Sequence, residues 1–355
     1  MEGMPRRDFL ARIGALSAVS ALAACGGNPP AATPVASGAL ATQTPAPTLT
    51  KVRLGQVSVS AANSAIWSAD EGGYLKKYGL DAEVTGIADS TQGVAAMLSG
   101  QVPINCGISG TAVVSSVIGG SDLAFYAVTV NTFPGGIYAR AGIDTLKDLR
   151  GRKLGVSRIG TASDTGGRIV LRQNGIDPKD VNILGLGGIP EILAAMKTGQ
   201  IDAGVLSPPT TLQAREAGFK QLVDMGELGI EYAYNGVVAS RAYYKQNPEI
   251  VESTIKALIE GVHRFKTDAV FGKGVIAKFA KITDQAQIDE TYNTFAKLYL
   301  KEPPTPTENA FKQVIDELVV GNNPKAKDAN VSSFYDLVVL SKLRDSGFIK
   351  QVTGQ

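Results

Sequence analysis

The sequence predicts an α/β protein built from two lobes of similar plan. The stretch Val94–Thr111, VAAMLSGQVPINCGISGT, has a second copy, LAAMKTGQIDAGVLSPPT, from Leu193 to Thr210. Each copy is typical of a helix end, a Gly stop, a short buried strand and a Ser/Pro/Thr-rich turn into another helix. Strand and helix patterns alternate up to Ser240, which indicates parallel sheets with right-handed crossovers, and only helical patterns follow.

The composition is that of a near-neutral globular protein. The 355 residues include 35 Lys and Arg against 33 Asp and Glu, a net charge of +2, so nothing favours a nucleic-acid partner. The two cysteines, Cys25 and Cys106, do not form a disulfide framework. The one histidine, His263, lies in a helical pattern, which argues against a His-based metal site or a Ser-His-Asp triad.

Residues 1–25 have the order of an export signal. Arg6-Arg7 precede an apolar run, Ile13–Ala24, that is shorter than the roughly 20 residues needed to span a bilayer. The segment resembles a twin-arginine signal, although departures on both sides of the arginine pair leave general secretory export open.

Leu22–Cys25, Leu-Ala-Ala-Cys, resembles a bacterial lipobox. The resemblance predicts that Cys25 is lipidated and anchors the protein to a membrane surface in the periplasm or at the cell surface. The alternative is that Cys25 is only a small residue in a cleaved signal. Residues 26–50 carry no charged side chain and are rich in Pro, Ala and Thr, which predicts a disordered tether.

The elements of the folded part can be placed in chain order. Short apolar or alternating runs predict strands, in addition to those of the two repeat copies, at residues 51–58, 81–86, 123–130, 137–140, 153–156 and 181–186. Helices are expected between them, at residues 64–74, 167–174 and 191–198. After residue 240, Asn247-Pro248-Glu249 begins a helix with one apolar face. Ile288 to Tyr299 repeats that spacing, and a last helix is expected near 334–346.

Four turns share a design, because each joins the carboxyl end of a strand to a helix through small polar residues. Helix N-termini present unpaired N–H groups with partial positive charge, and ligands of open parallel sheets lie at this edge. Such turns favour an anion or another hydrogen-bond acceptor, unless their Ser and Thr serve only as helix caps. The turns are Ser60–Asn63, Ser109–Thr111, Gly160–Ser163 and Ser207–Thr210.

The motifs of catalysis are missing. The sequence has no GxGxxG or GxxxxGK[ST] phosphate loop, no GxSxG elbow, no CxxC and no HExxH. Cys106 lies in a predicted buried strand and is expected to be a packed thiol. Asp164 and Glu191 lie near the predicted cleft without an evident partner. These absences favour binding over catalysis, so we expect no enzyme activity, no cofactor and no metal.

Short motifs in fixed order carry a resemblance to a family. They are Gly73–Leu80 (GYLKKYGL), Gly100–Val102 (GQV), Leu146–Val156 (LKDLRGRKLGV) and Gly199–Ala203 (GQIDA). From Val52 to about Ser346 the chain resembles periplasmic substrate-binding proteins of ABC importers, of the nitrate/sulfonate/taurine and thiamine-precursor type. Pro103 departs from the family, which often has an Asp after Gly-Gln-Val.

The resemblance implies a two-lobed fold of the periplasmic-binding-protein type (type II), each lobe a mostly parallel sheet flanked by helices. Lobe 1 would comprise residues 51–133 plus 240–355, and lobe 2 residues 134–239. Two hinge strands are expected near 132–138 and 234–239. A ligand would bind between the lobes, and the closed protein, expected to be a monomer, would dock on an ABC permease.

The resemblance also places ligand contacts, by position, on Ser60, Asn63, Ser109, Thr111, Thr132, Thr161, Ser163 and Ser207. Trp67 is a further candidate, with core packing as the alternative. Arg158 is the nearest basic residue, which disfavours a small, strongly charged anion and leaves aromatic acids, pyrimidines and sulfonates open. Two rival functions remain open. One is an enzyme on the same fold, of the pyrimidine-synthesis or futalosine type, with a Cys or His at the cleft; the other is a ligand-sensing ectodomain.

Overall fold

A computed structural model of the chain describes residues 49–321 and 323–354. The predicted export signal, its lipidation site Cys25 and the predicted tether up to residue 48 lie outside the described residues. Within the described ranges, no helix combines the length and the apolar character that crossing a membrane requires.

Ten strands and fourteen α-helices make up the described part of the chain. The strands are β1 (Thr50–Val57), β2 (Leu80–Ile87), β3 (Ile104–Ile108), β4 (Leu123–Val130), β5 (Gly136–Ala139), β6 (Lys153–Val156), β7 (Asn182–Gly185), β8 (Ala203–Leu206), β9 (Lys220–Asp224) and β10 (Asn235–Ser240). The helices are α1 (Ser64–Glu71), α2 (Tyr74–Lys77), α3 (Ser90–Leu98), α4 (Gly110–Ile118), α5 (Ala162–Gln173), α6 (Ile189–Lys197), α7 (Thr210–Glu216), α8 (Arg241–Gln246), α9 (Pro248–Thr267), α10 (Ala269–Ala280), α11 (Gln285–Thr294), α12 (Glu308–Val320), α13 (Val338–Asp345) and α14 (Phe348–Thr353).

The strands form two five-stranded sheets with the same internal plan. The first sheet has the order β2-β1-β3-β10-β4, and the second has the order β7-β6-β8-β5-β9. In each sheet three neighbouring strands are parallel, β2-β1-β3 and β7-β6-β8. The fourth strand, β10 or β5, runs antiparallel to both of its neighbours. The predicted α/β class with two mostly parallel sheets is confirmed, with one antiparallel strand inside each sheet.

The internal sequence repeat corresponds to this duplicated plan. Its first copy covers the end of α3, β3 and the start of α4, and its second copy covers the end of α6, β8 and the start of α7. β3 and β8 are the central strands of their sheets and are buried along their whole length. The near-continuous apolar character of both copies is therefore explained by burial on both faces of a sheet.

Two segments carry the chain between the sheets, residues 131–135 after β4 and 225–234 before β10. They lie side by side, because the Tyr232 N–H donates to the Asn131 carbonyl at 2.8 Å and the Phe133 and Tyr232 rings stack with centroids 4.2 Å apart. The sequence placed residues 234–239 in a hinge and in lobe 2. In the structure β10 pairs with β3 and β4, so this strand belongs to the first sheet, and the hinge stays a prediction.

The helices after β10 cover the first sheet. The predicted apolar face of α9 is buried, and so are Ile288, Tyr292, Phe295 and Tyr299. The predicted last helix begins four residues late, at Val338. Residues 334–336 instead bond to the edge of β4, where the Phe125 N–H donates to Phe334 O at 2.9 Å and the Asp336 N–H donates to Phe125 O at 2.8 Å. Unpaired N–H and C=O groups of an edge strand outcompete a helical turn here.

We expect Gly135→Ala to destabilise the fold far more than Gly142→Ala. Both glycines have positive φ, 104° and 84°, but a Cβ on Gly135 would lie 2.0 Å from the Leu206 carbonyl oxygen, whereas one on Gly142 meets nothing within 4 Å. Backbone strain alone costs about 1–3 kcal/mol, and the clash adds to it only at Gly135. Urea unfolding of both variants measures the difference. Equal losses of unfolding free energy in the two variants would mean that residues 131–135 can shift to make room for the added Cβ at no further cost.

Candidate functional site

The carboxyl ends of the parallel strands of both sheets open onto one cleft. A smaller cavity of about 110 Å³ and a larger, more open one of about 1010 Å³ adjoin. Ser60, Arg158 and Gly188 line both, so the two cavities form one continuous cleft. The smaller cavity is ringed by the starts of α3, α4, α5 and α6 and by the short 3₁₀ turn Ala61–Asn63. N-terminal backbone dipoles from both sheets therefore point towards one space.

Six of the eight predicted ligand contacts line this cleft. Ser60, Asn63, Ser109, Thr161 and Ser163 line the smaller cavity, and Ser60 and Ser207 line the larger one. Thr111 does not line either cavity, since its hydroxyl is buried and hydrogen-bonded with the Tyr232 hydroxyl. Thr132 lies in the first crossing segment and also does not line them.

Asn63 is committed to holding the loop that follows β1. Its Nδ2 donates to the Val57 and Ser58 carbonyls, each at 3.0 Å, and its Oδ1 accepts from Asn235 Nδ2 at 3.0 Å. A Cβ on Gly107 would lie 2.2 Å from Asn63 Oδ1, so β3 must carry a glycine there. Ser60 caps the adjoining turn, where its hydroxyl accepts from the Ala62 N–H at 3.3 Å. Asn63, which was predicted to contact the ligand, thus uses its side-chain amide to hold the wall of the cavity in place.

Three hydroxyl groups meet at the start of α5. Ser157 Oγ lies 2.7 Å from Ser163 Oγ and 3.0 Å from Thr161 Oγ1, and Ser163 Oγ accepts from the Ser157 N–H at 3.0 Å. All three residues line the smaller cavity. Hydroxyl groups can both donate and accept, so this cluster suits a polar ligand group of either kind. Sequence reasoning missed Ser157, although it ends the run that predicts β6.

A charged pair spans the cleft. Arg158, in the loop after β6, places Nε 3.4 Å from Oδ2 of Asp89. Asp89 is the N-cap of α3, where its Oδ1 accepts from the Thr91 and Gln92 N–H groups at 2.9 and 3.0 Å. Its side chain is 8% exposed, whereas that of Arg158 is 51% exposed. Arg158, the basic residue that the sequence placed near the site, is therefore already paired with Asp89, which the sequence did not single out.

The remaining candidates lie away from the cleft or are engaged. Trp67 is buried, stacks on Phe279 with ring centroids 5.5 Å apart and donates from Nε1 to Gln56 Oε1 at 2.7 Å, which is the core packing alternative. His263 lies on α9, with Nδ1 2.7 Å from Glu302 Oε1. Asp164 is buried and bonded to Arg168 at 2.7 Å.

Glu191 lines the larger cavity. Among residues 49–321 and 323–354, no cluster of three or more His, Cys, Asp or Glu side chains could hold a metal ion.

The model for the family described as NMT1/THI5 like matches residues 62–268, more than half of the chain. The chain belongs to the NMT1/THI5-like family. A curated relative, a putative ABC transporter periplasmic binding protein of Brachyspira hyodysenteriae (strain ATCC 49526 / WA1), is 29% identical over 120 residues, which cover 34% of each chain. The chain spans 34% and 65% of the lengths of the two curated relatives that it matches.

Solved structures show the fold of this NMT1/THI5-like chain. The aliphatic sulphonate binding protein SsuA of Escherichia coli matches with a TM-score of 0.67 at 18% identity, over 86% of this chain and 99% of that one. The nitrate-binding protein NrtA of Synechocystis PCC 6803 matches with a TM-score of 0.68 at 15% identity, over 85% and 90%. Both are periplasmic binding proteins, so the predicted fold type is confirmed. The predicted family is confirmed by the match of the family model to residues 62–268.

We expect Cys106 to resist thiol reagents in the native protein. The side chain is 1% exposed in β3, and burial raises the pKa of its thiol to about 12. At pH 8 only about one thiol in ten thousand is then the reactive thiolate. A chromogenic disulfide reagent should detect Cys106 only after denaturation, with peptide mapping to assign the site. Rapid labelling of the native protein would contradict this packing.

Proposed function

We propose that this protein is an extracytoplasmic solute-binding protein, which captures a small polar molecule between its two lobes and delivers it to an ABC permease. The arrangement of polar groups around the cleft supports this proposal. Helix starts and hydroxyl groups from both sheets converge on one space, and no Cys or His of the described residues lines it. A site of this kind has groups that orient a ligand and, among the described residues, has neither a cysteine nucleophile nor a histidine base to activate its hydroxyl groups, which supports binding rather than turnover.

The two lobes are proposed to close on the ligand about the two crossing segments. Lobe 1 would comprise residues 51–133 plus 240–355 with β10 added to it, and lobe 2 the remaining middle of the chain. Ion pairs that join the two sides, Arg215 with Glu290 and Arg172 with Glu317, have partly exposed arginines. Exposed pairs are individually weak, and Arg215 and Glu290 are both partly exposed, so this pair leaves the equilibrium between the proposed open and closed forms to be set by the ligand.

Family relatives support a small polar solute. The names of SsuA and NrtA state that they bind aliphatic sulphonates and nitrate, and the name of the Brachyspira relative places it in an ABC transporter. Export through the signal at residues 1–25 and anchoring through lipidated Cys25 would hold the protein beside such a permease, with residues 26–50 as the tether. The protein is proposed to act as a monomer.

The test is ligand-induced stabilisation of the refolded, ligand-stripped protein. The panel contains nitrate, sulfonates, bicarbonate, aromatic acids and pyrimidines. A ligand at a hundredfold its dissociation constant should stabilise the fold by about 2.7 kcal/mol and raise the melting temperature by several degrees. Ser163→Ala, at the hydroxyl cluster, should reduce the shift in melting temperature. Ser99→Ala is the control and should preserve the shift, because Ser99 lies at the C-terminal end of α3, away from the cleft.

A protein that is empty by mass spectrometry and unresponsive to every compound would count against the solute-binding function. Release of a chemically altered product from the bound compound would instead support the enzyme alternative.

We also expect Cys25→Ser to move the protein from the membrane fraction to the soluble fraction of the exporting cell. Lipidation requires the Cys25 thiol, and serine keeps the size of the residue while removing that thiol. Fractionation and immunoblotting measure the distribution, and Cys106→Ser is the matched control because Cys106 is buried in β3. Unchanged membrane retention of the Cys25 variant would refute the lipid anchor.

A further inference from the structure

Gln56 is a residue of the larger cavity that the sequence did not single out. It lies one residue before the end of β1, is half-buried and lines that cavity. Its Oε1 accepts a hydrogen bond from Trp67 Nε1 at 2.7 Å. An indole N–H can only donate, so this bond requires the amide oxygen of Gln56. The amide nitrogen must therefore point away from Trp67.

The amide nitrogen of Gln56 has two hydrogen atoms to donate. Among the described residues, no group accepts a hydrogen bond from Nε2. Nε2 is also not one of the buried side-chain atoms that lack a partner, so it has accessible surface. Both of its N–H donors are therefore available to a bound molecule.

An empty space lies beside this amide on the next strand. Gly86 of β2 is the register partner of Gln56, and partners in parallel strands point to the same face of a sheet. A Cβ added to Gly86 would meet no other atom within 4 Å. Gly86 lines the larger cavity, and so does Ile282, which packs in the same core cluster as Leu54 and Trp67 on this face. The space next to the Gln56 side chain is thus part of the larger cavity.

The charged side chains that line the larger cavity are equal in number. Among the described residues they are Arg158 and Lys281 against Glu191 and Asp284. Arg158 is paired with Asp89, and Asp284 is the N-cap of α11. Selection in this cavity therefore depends on the few polar groups that are held in a fixed direction, and the Gln56 amide is one of them.

We propose that Gln56 is a specificity-determining residue of the cleft, whose Nε2 donates to an acceptor oxygen of the bound ligand. Trp67 is a positioning residue that holds the amide in this direction. Carboxylates, sulfonates and carbonyl compounds supply such an oxygen. The inference rests on the proposed solute-binding function and names a ligand group that the larger cavity recognises. A donor left unpaired in a closed site is disfavoured, so loss of this hydrogen bond should weaken binding at least about tenfold.

The experiment is calorimetric titration of the ligand-stripped full-length protein with nitrate, ethanesulfonate, benzoate and uracil. Gln56→Glu keeps an acceptor for Trp67 and replaces the donor with a carboxylate oxygen. Each of the three anions that the native protein binds should bind this variant at least about tenfold more weakly. Uracil should lose less affinity, because its N–H groups can donate to the new carboxylate. Gln101→Glu is the matched control, because Gln101 is exposed and lines neither cavity.

Trp67→Phe separates the positioning of the amide from packing. Phenylalanine keeps an aromatic ring against Phe279 and removes the N–H that orients Gln56. The substitution should weaken binding of the probes in the native background. In a Gln56→Met background it should have no further effect on affinity, because no amide remains to be oriented. A loss of the same size in both backgrounds would overturn the positioning role of Trp67.

Two results would overturn the role of Gln56. Affinities of Gln56→Glu and Gln56→Met equal to those of the native protein would do so and leave the solute-binding function standing. An equal loss in Gln101→Glu would also do so, because the effect would then follow from added negative charge anywhere on the protein. If the native protein binds none of the four probes, the proposed function fails and this inference fails with it.

Discussion

The side chain of Asn63 holds together the three chain segments that form the floor of the cleft. Its amide bonds the Val57 and Ser58 carbonyls of the loop after β1 and the side chain of Asn235 at the start of β10. β3 can approach it closely because position 107 is a glycine. The loop that carries Ser60 and the direction of the Asn235 amide both depend on these bonds, so one buried polar group sets the shape and the hydrogen-bonding character of the site.

Ion pairs with partly exposed arginines join the two sides of the cleft, and a buried apolar cluster also runs across both sides. Burial raises the pKa of Glu317 although Arg172 lies against it, so the charged form of this carboxylate is disfavoured where it must pair. The Arg158–Asp89 pair has a half-exposed guanidinium at 3.4 Å. The proposed closure of the lobes would need the hydrogen bonds of Asn63 to persist while a partly exposed pair such as Arg158–Asp89 forms and breaks.

The fold could be predicted from the sequence because its signals are local. The repeated helix–Gly–strand pattern identified β3 and β8 as equivalent buried strands, and each is the centre of its sheet. The position of β10 could not be predicted in the same way. In this strand Val238 pairs with Asn105 and Phe125, which are more than a hundred residues away in sequence. The run NGVVAS predicts a buried strand but does not indicate which sheet it joins.

Part of the candidate site could likewise be predicted from the sequence. The rule that ligands lie at the carboxyl ends of parallel strands placed Ser60, Ser109 and Ser163 at the cleft. It did not find the Asp89–Arg158 pair or Asn235, since each joins residues that are distant in sequence. It also included Thr111, whose hydroxyl meets Tyr232 from the second crossing segment instead. The position of a residue along a strand predicts whether it lies at the edge of the sheet. The hydrogen-bond partners of its polar atoms depend on the packed structure.

Ligand chemistry can therefore differ widely on this fold. Structures that share 15% and 18% of their residues with this chain keep its architecture over most of its length. In this chain the architecture brings several helix starts together at the sheet edges, and their partial positive charge favours hydrogen-bond acceptors on a ligand. What it leaves free is the charge and polarity of the few side chains between them. In this chain a carboxylate neutralises the one nearby guanidinium and an amide oxygen stays unpaired. On such an edge, the selectivity for a ligand depends on which polar groups of the site still need a partner once the neighbouring side chains have paired.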